Sequence, residues 1–155
     1  MSSRSHRPTG AAFLLAQLGA HAAYRFADRI AHLGITPAHA GILRFIARMP
    51  GSNQQRLARF LRVLPSRMVL LIDQLVKKGL IERRRSRKDR RHSELVLTQK
   101  GKRTLEKLSK IAIAHEKALC GGLTREERET LARLGRKMVA DQGLTPDVHP
   151  GFRKL

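Results

Sequence analysis

Residues 65–98 read PSRMVLLIDQLVKKGLIERRRSRKDRRHSELVLT. In the first half, Met68, Leu71, Ile72, Leu75 and Val76 recur at the i, i+3, i+4, i+7, i+8 spacing that gathers apolar side chains into one stripe of a helix. Pro65 suits the first helical position, where its missing N–H costs nothing. Gly79 stands where a left-handed C-terminal cap belongs. Two short apolar runs follow, Leu80-Ile81 and Leu95-Val96-Leu97, which read as strands. Between them lie seven basic residues in the nine positions from Arg83 to Arg91. Few architectures end an amphipathic helix on a glycine and pass straight into a basic hairpin.

The flanking segments narrow the choice. Residues 11–33 are Ala/Leu-rich, lack proline, and read as a long first helix ending near Gly34. Thr36-Pro37 starts a second helix that buries Ile42, Leu43, Phe45 and Ile46. Ser52 to Gln55 reads as a capping box opening a short third helix that buries Leu57, Phe60 and Leu61. The helix from Pro65 is the fourth. Thr98 begins a fifth, with Leu105, Leu108, Ala112, His115 and Leu119 spaced alternately by three and four, broken at Gly121-Gly122. Thr124 to Glu127 is a second capping box, opening a sixth helix with Leu131, Leu134 and Met138. From Gly143 the proline- and glycine-containing tail is expected to be loosely ordered. The expected fold class is mainly α with a small two- to three-stranded β wing: a winged helix-turn-helix with long flanking helices. The fourth helix would lie in a major groove, with the hairpin as a wing along the backbone.

Charge supports that reading. The net charge is +20 at pH 7, and it is uneven. Residues 51–104 hold sixteen Lys/Arg against four acids, whereas residues 1–50 hold six against one and residues 105–155 ten against seven. A polyanion docking on the middle third is the simplest account. A membrane-surface patch would place its charge on an amphipathic helix with large apolar anchors, and this chain has no Trp and one Tyr. The same shortage disfavours an RNA-binding sheet that stacks bases on aromatics. No apolar run approaches the roughly 18–20 residues that span a bilayer, and MSSRSHRPTG lacks the apolar core of a secretory signal. A cytoplasmic location without membrane association is expected. The single Cys120 excludes an intrachain disulfide and reads as a small apolar side chain. No Walker loop or GxSxG occurs, acids are scarce, and neither an enzyme nor a cofactor is expected.

One string carries a resemblance: Gln55-x-Leu57-Ala58-x-x-Leu61, Leu71-Ile72-Asp73-x-Leu75-x-x-x-Gly79-Leu80-Ile81-x-Arg83, Asp89-Arg90-Arg91, and Leu95-x-Leu97-Thr98-x-x-Gly101. In order, spacing and setting between long helices it resembles the multiple-antibiotic-resistance regulator (MarR) family, over about residues 10–142. The resemblance implies a homodimer that binds pseudo-palindromic double-stranded DNA, usually as a repressor. The first, fifth and sixth helices would form the dimer body. A small anionic or aromatic effector would lower DNA affinity by changing the spacing of the two reading heads. The implied organisation is a flexible tail at 1–10, one domain at 11–142, and a tail at 143–155. Within the domain, about 36–98 would be the DNA-binding lobe, and 11–34 with 99–142 the dimerisation helices.

By position, Arg91 resembles the family's minor-groove wing arginine, Asp89 the acid that orients it, and Arg90 a phosphate neighbour. Arg85, Arg87 and Lys88 belong to the same basic run. Family members often carry a hydroxyl residue and an arginine where this chain has Val69 and Leu70. Both lie off the buried stripe and are expected to face DNA, where aliphatic side chains touch thymine methyl groups and make no hydrogen bonds; packing against the wing or the third helix is the alternative. Ser66, Arg67 and Gln74 are the polar candidates on that helix.

For the effector, His39 or His115 with Arg25 or Arg29 could hold an anion. The competing readings are histidines satisfied by backbone, or His39, His115 and Glu116 as metal ligands. No HxxxH or HExxH spacing supports zinc, and no metal is expected. The redox-sensing relatives place a cysteine in the first helix, and this chain has none there. Two other function classes remain in view: a non-specific architectural or RNA-binding basic protein, and a metal-dependent DNA-binding sensor.

Overall fold

The computed structural model describes residues 10–86, 93–146 and 148. Expectations for 1–9, for Arg87 to His92, and for the other tail residues lie outside the described residues. The order is α1 (Ala11–Ile30), a 3-10 turn (Ala31–Leu33), α2 (Pro37–Arg48), α3 (Gln54–Leu61), α4 (Pro65–Lys77), β1 (Ile81–Arg85), β2 (Ser93–Leu97), α5 (Gln99–Cys120) and α6 (Arg125–Asp141). The two strands pair antiparallel, Ile81 opposite Leu97 and Arg85 opposite Ser93. This is the six-helix winged helix-turn-helix that the sequence patterns predict.

The core lies beneath the α2–α3–α4 lobe and the hairpin. Ile42, Leu43, Leu57, Met68, Ile72, Leu75, Ile81 and Leu95 are all essentially sealed from solvent. The α4 stripe is buried as its spacing demands, and Gly79 takes φ 68 to turn the chain out of the helix. Gly34, at φ 67, does the same after the 3-10 turn.

Two local expectations are corrected. The N-cap of α3 is Asn53, whose side chain accepts from the Arg56 N–H at 2.8 Å, and not Ser52. Ser52 is instead buried, with its hydroxyl donating to Met49 O and its carbonyl accepting from the Leu95 N–H of β2. Pairing across to the hairpin fixes Ser52 before it can cap. Phe60, expected in the core, is 42% exposed and lies against Phe45 with ring centroids 4.8 Å apart. The expected capping box at Thr124 is present with Glu127, and Thr36 forms a further one with His39.

α6 has no buried residue, and α5 buries only Gly101 and Leu108. Their apolar stripes, with Phe13 and Leu18 of α1, stand open to solvent. Among the described residues no single helix is long and apolar enough to cross a membrane; α1 to the 3-10 turn and α2 qualify only as a pair bent by 77°.

α5 starts hard against the end of α4. Thr98 N–H bonds Leu80 O at 3.1 Å, Thr98 Oγ1 donates to Gly79 O at 2.6 Å, and Gly101 N–H returns to Thr98 Oγ1 at 3.0 Å. A Cβ on Gly101 would overlap the Leu80 carbonyl oxygen. Gly101→Ala is therefore expected to destabilise the fold by at least about 2 kcal/mol, the overpacking range for a contact with rigid backbone. Urea unfolding measures it, and unchanged stability would refute the close approach.

Candidate nucleic-acid interface

The turn between α3 and α4 is tight. Arg62 closes α3 in the left-handed region (φ 51, ψ 44), a conformation that costs a non-glycine residue of order 1 kcal/mol. Val63 is buried, its N–H bonded to Ala58 O. Pro65 then starts α4 with Leu64 at the N-cap and no side-chain cap. The first amides of α4 are thus left without the usual side-chain acceptor, the condition in which a helix N-terminus receives a phosphate.

From α4, Ser66, Val69, Leu70, Asp73, Gln74 and Lys77 face outward, and Arg67 is half-buried at the edge of that face. Leu70 is 58% and Val69 39% exposed. Leu70 is thus the more open of the two and Val69 the more covered. Arg56 and Arg59 of α3, Arg62 of the turn and Lys77 of α4 are also exposed.

Arg83, Arg84 and Arg85 lie in β1 itself, not on the hairpin turn. Two of them have acid partners: Arg83 reaches back to Asp73 of α4 at 2.6 Å, and Arg84 pairs with Glu82. Both pairs are exposed, so each contributes little to stability; their effect is to hold the guanidinium groups in place. Ser86 Oγ donates to Glu94 Oε1 where the hairpin leaves the described residues. Arg87, Lys88, Asp89, Arg90 and Arg91 lie beyond that point.

The four effector candidates separate. His39 is 4% exposed and committed on both ring nitrogens. Its Nδ1 accepts from the Thr36 N–H at 3.2 Å, completing the capping box of α2, and Nε2 lies 2.8 Å from Gln74 Oε1. With Nδ1 accepting, the proton resides on Nε2 and is donated to Gln74. Gln74, expected to face DNA, is thereby tied to α2 through its oxygen. Burial pushes the His39 pKa down from its ordinary value; the Gln74 hydrogen bond opposes this, and Lys78 adds to it.

His115 does face a cavity. A hollow of about 470 Å³ opens between α1, α2 and α5, lined by Phe26, Ala40, Phe45, Met49, Phe60 and His115, with Arg44, Arg48 and Glu116 also on its wall. The Phe26 and His115 rings are tilted at 56° with centroids 5.4 Å apart. His115 Nδ1 and Arg29 Nε are buried with no hydrogen-bond partner. Burial, then Arg29, lower the His115 pKa, with Glu116 opposing and Arg25 and His21 adding smaller effects. Arg25 and Arg29 thus act on His115 without lining the hollow. Sequence reasoning missed Arg44, Arg48 and Phe60; only the folded arrangement brings them to His115. Among the described residues no three His, Cys, Asp or Glu side chains come together as a metal site, and His39 has no nitrogen left to join His115 and Glu116.

An uncapped, outward-facing second helix of a helix-turn-helix, flanked by a basic two-stranded wing, defines a winged-helix DNA-reading head. The comparisons agree. A sequence model of the MarR family matches residues 33–92. The transcriptional regulator BilQ of Clostridium symbiosum is 32% identical over 110 residues, 71% of this chain and 74% of that protein. A transcriptional regulatory protein ascribed to the hcr operon of Thauera aromatica is 34% identical over 113 residues, 73% of this chain and 68% of that protein. The structure of the transcriptional repressor CouR bound to a 23-mer DNA duplex is similar at TM-score 0.75 and 31% identity, covering 84% of this chain and 92% of that one. The chain belongs to the MarR family of transcriptional regulators.

His39 yields a pH prediction. Its folded pKa lies below its ordinary value of 6.5, so the unfolded chain binds the proton more readily. Its contribution to stability is complete above pH 6.5 and is lost as pH falls from there toward the depressed folded value. Glutamine at that position keeps the capping box but does not titrate. Denaturant titrations from pH 7.5 to 5 should show wild type losing stability relative to His39→Gln as pH falls. Parallel curves for the two proteins would contradict the assignment.

Proposed function

We propose that the protein is a ligand-responsive repressor that binds a pseudo-palindromic DNA operator as a homodimer in the cytoplasm. The observation that carries this reading is the outward-facing, uncapped α4 beside the wing, with exposed Arg56, Arg59 and Arg62 on the preceding helix and turn. In the proposed complex the two α4 helices enter successive major grooves, roughly 34 Å apart. Arg56, Arg59, Arg62, Lys77 and Arg85, with Arg87, Lys88 and Arg90 of the hairpin, neutralise phosphates. Ser66 and Arg67 supply polar contacts near the helix start. Arg91, oriented by Asp89, enters the minor groove, where a narrow groove strengthens the negative potential. Residues 36–98 form the DNA-binding lobe.

Dimerisation is supported by the apolar surface that one chain leaves uncovered. Leu131, Leu134 and Met138 of α6 are 45–47% exposed, Ile113 of α5 72%, and Phe13 of α1 62%. A 17-residue helix with an apolar stripe and no buried residue requires a partner surface, and a second copy offers the matching face. Residues 11–34 and 99–142 then form the dimer body. The effector reading rests on the 470 Å³ cavity. Its aromatic wall suits a flat ring, and Arg44 and His115, with Glu116 beside them, supply polar groups that can orient it.

The decisive experiment is fluorescence anisotropy with the DNA upstream of the protein's own gene, a shuffled duplex and duplex RNA at several salt concentrations. A preference of about a thousandfold for the native DNA at physiological salt is expected of a specific regulator. Equal binding to all three, fading together with salt, is the behaviour of a general polyanion binder and would overturn the proposal. Two variants separate its parts. Arg91→Ala should weaken operator binding at least about tenfold and leave the dimer intact. Leu134→Glu with Met138→Glu should yield monomers by light scattering and lose operator binding; a double variant that remains dimeric removes α6 from the interface.

A further inference from the structure

The outward face of α4 carries two exposed aliphatic side chains, Leu70 and Val69, among the polar Ser66, Asp73, Gln74 and Lys77. At 3.6 residues per turn, Leu70 lies near the middle of that face, with Ser66 one turn before it and Asp73, Gln74 and Lys77 after it. The nearest polar groups on the C-terminal side are engaged within the protein, Asp73 with Arg83 at 2.6 Å and Gln74 Oε1 with His39 at 2.8 Å. Leu70 is 58% exposed, Val69 39%, and Leu64, at the N-cap, 73%. An apolar centre on a helix that carries exposed Lys77 and follows exposed Arg56, Arg59 and Arg62 matches a partner that is anionic at its edges and apolar at one point within. Duplex DNA meets that description in the major groove, where the 5-methyl group of thymine is the one apolar feature on the base edges.

We infer that Leu70, with Val69 beside it, is a specificity-determining contact that reads thymine methyl groups in each operator half-site. This rests on the proposed docking of α4 in the major groove. Sequence choice at these positions comes from fitting a methyl against an aliphatic side chain, while the surrounding cations supply affinity without choosing a sequence.

Deoxyuridine provides the test, because it keeps every hydrogen-bonding atom of thymidine and lacks only the methyl. The full chain selects duplexes from a random-core library, and the best duplex is remade with deoxyuridine replacing thymidine, singly and together. Removing a methyl in contact should weaken binding about fourfold, the equivalent of one buried methylene, and about fifteenfold when both half-sites are changed. Leu70→Ala should bind the thymidine duplex more weakly and lose the deoxyuridine effect at one position per half-site. Val69→Ala reports the neighbouring position in the same way. Both residues are exposed, so circular dichroism and melting should match wild type. Equal affinity of wild type for thymidine and deoxyuridine duplexes overturns the inference. So does a deoxyuridine effect that persists undiminished in both variants, since the methyl would then act through the stiffness of the duplex. A library that yields no preferred sequence overturns the operator reading itself, and this one with it.

Discussion

The carbonyl of Leu80 is the point on which the geometry of the molecule turns. The end of α4, the base of β1 and the start of α5 meet there. Thr98 N–H bonds that carbonyl, Thr98 Oγ1 bonds the carbonyl before it, and Lys100 Nζ bonds Lys78 O at 2.8 Å. Gly101 permits the approach because a methyl group in its place would overlap the same oxygen. In the proposed dimer, a flexible linker between α4 and α5 would let the two heads adopt any spacing. This junction resists that, because turning α4 without α5 would break the bonds to the backbone carbonyls of Lys78, Gly79 and Leu80.

A second tie joins α4 to α2. Gln74 on the outer side of the reading helix is held by His39, which also caps α2. The cavity lies between α1, α2 and α5, so two of its walls belong to helices fastened to α4 at different points along its length. In the proposed mechanism a ligand that wedges α2 from α5 must shift α4 or strain one of the ties. A differential of roughly 1–3 kcal/mol between the two arrangements would already change DNA affinity 5- to 150-fold. Such a difference is comparable to one or two of the hydrogen bonds involved.

The six helices and the hairpin were legible because each rests on local information: the three-four spacing of Met68, Leu71, Ile72 and Leu75, the glycines at 34 and 79, and the threonines at 36, 98 and 124. Exposure of Val69 and Leu70 followed from the same periodicity. What escaped depends on partners distant in sequence. Ser52 and Asn53 are equally good caps by residue type, and the choice is made by Leu95, forty-three residues on, whose amide takes the Ser52 carbonyl. Phe60 fits an amphipathic pattern, yet its ring packs on Phe45 at the cavity edge. His39 and Gln74 appear as two free functional candidates because nothing local shows that they satisfy each other. The acids Asp73 and Glu82 look incidental in so basic a chain, although they fix two arginines of β1.

Those acids bear on how affinity and selectivity are divided. Placing carboxylates at the base of a basic wing lowers the field that attracts phosphates, so the arrangement sacrifices some non-specific affinity for fixed guanidinium positions. Phosphate contacts weaken steeply as salt rises, because releasing counterions into a more concentrated solution gains less entropy. An aliphatic contact with a base edge is not screened. Under the proposed readout, binding at low salt reflects the net charge of +20 and hardly distinguishes one duplex from another. As ionic strength approaches the physiological range the electrostatic share declines, and the contacts at the centre of α4 account for a growing fraction of what remains. A regulator so basic can discriminate among sites only if part of its recognition is insensitive to salt. Under the proposed readout, Leu70 and Val69 are the contacts of α4 that have that property.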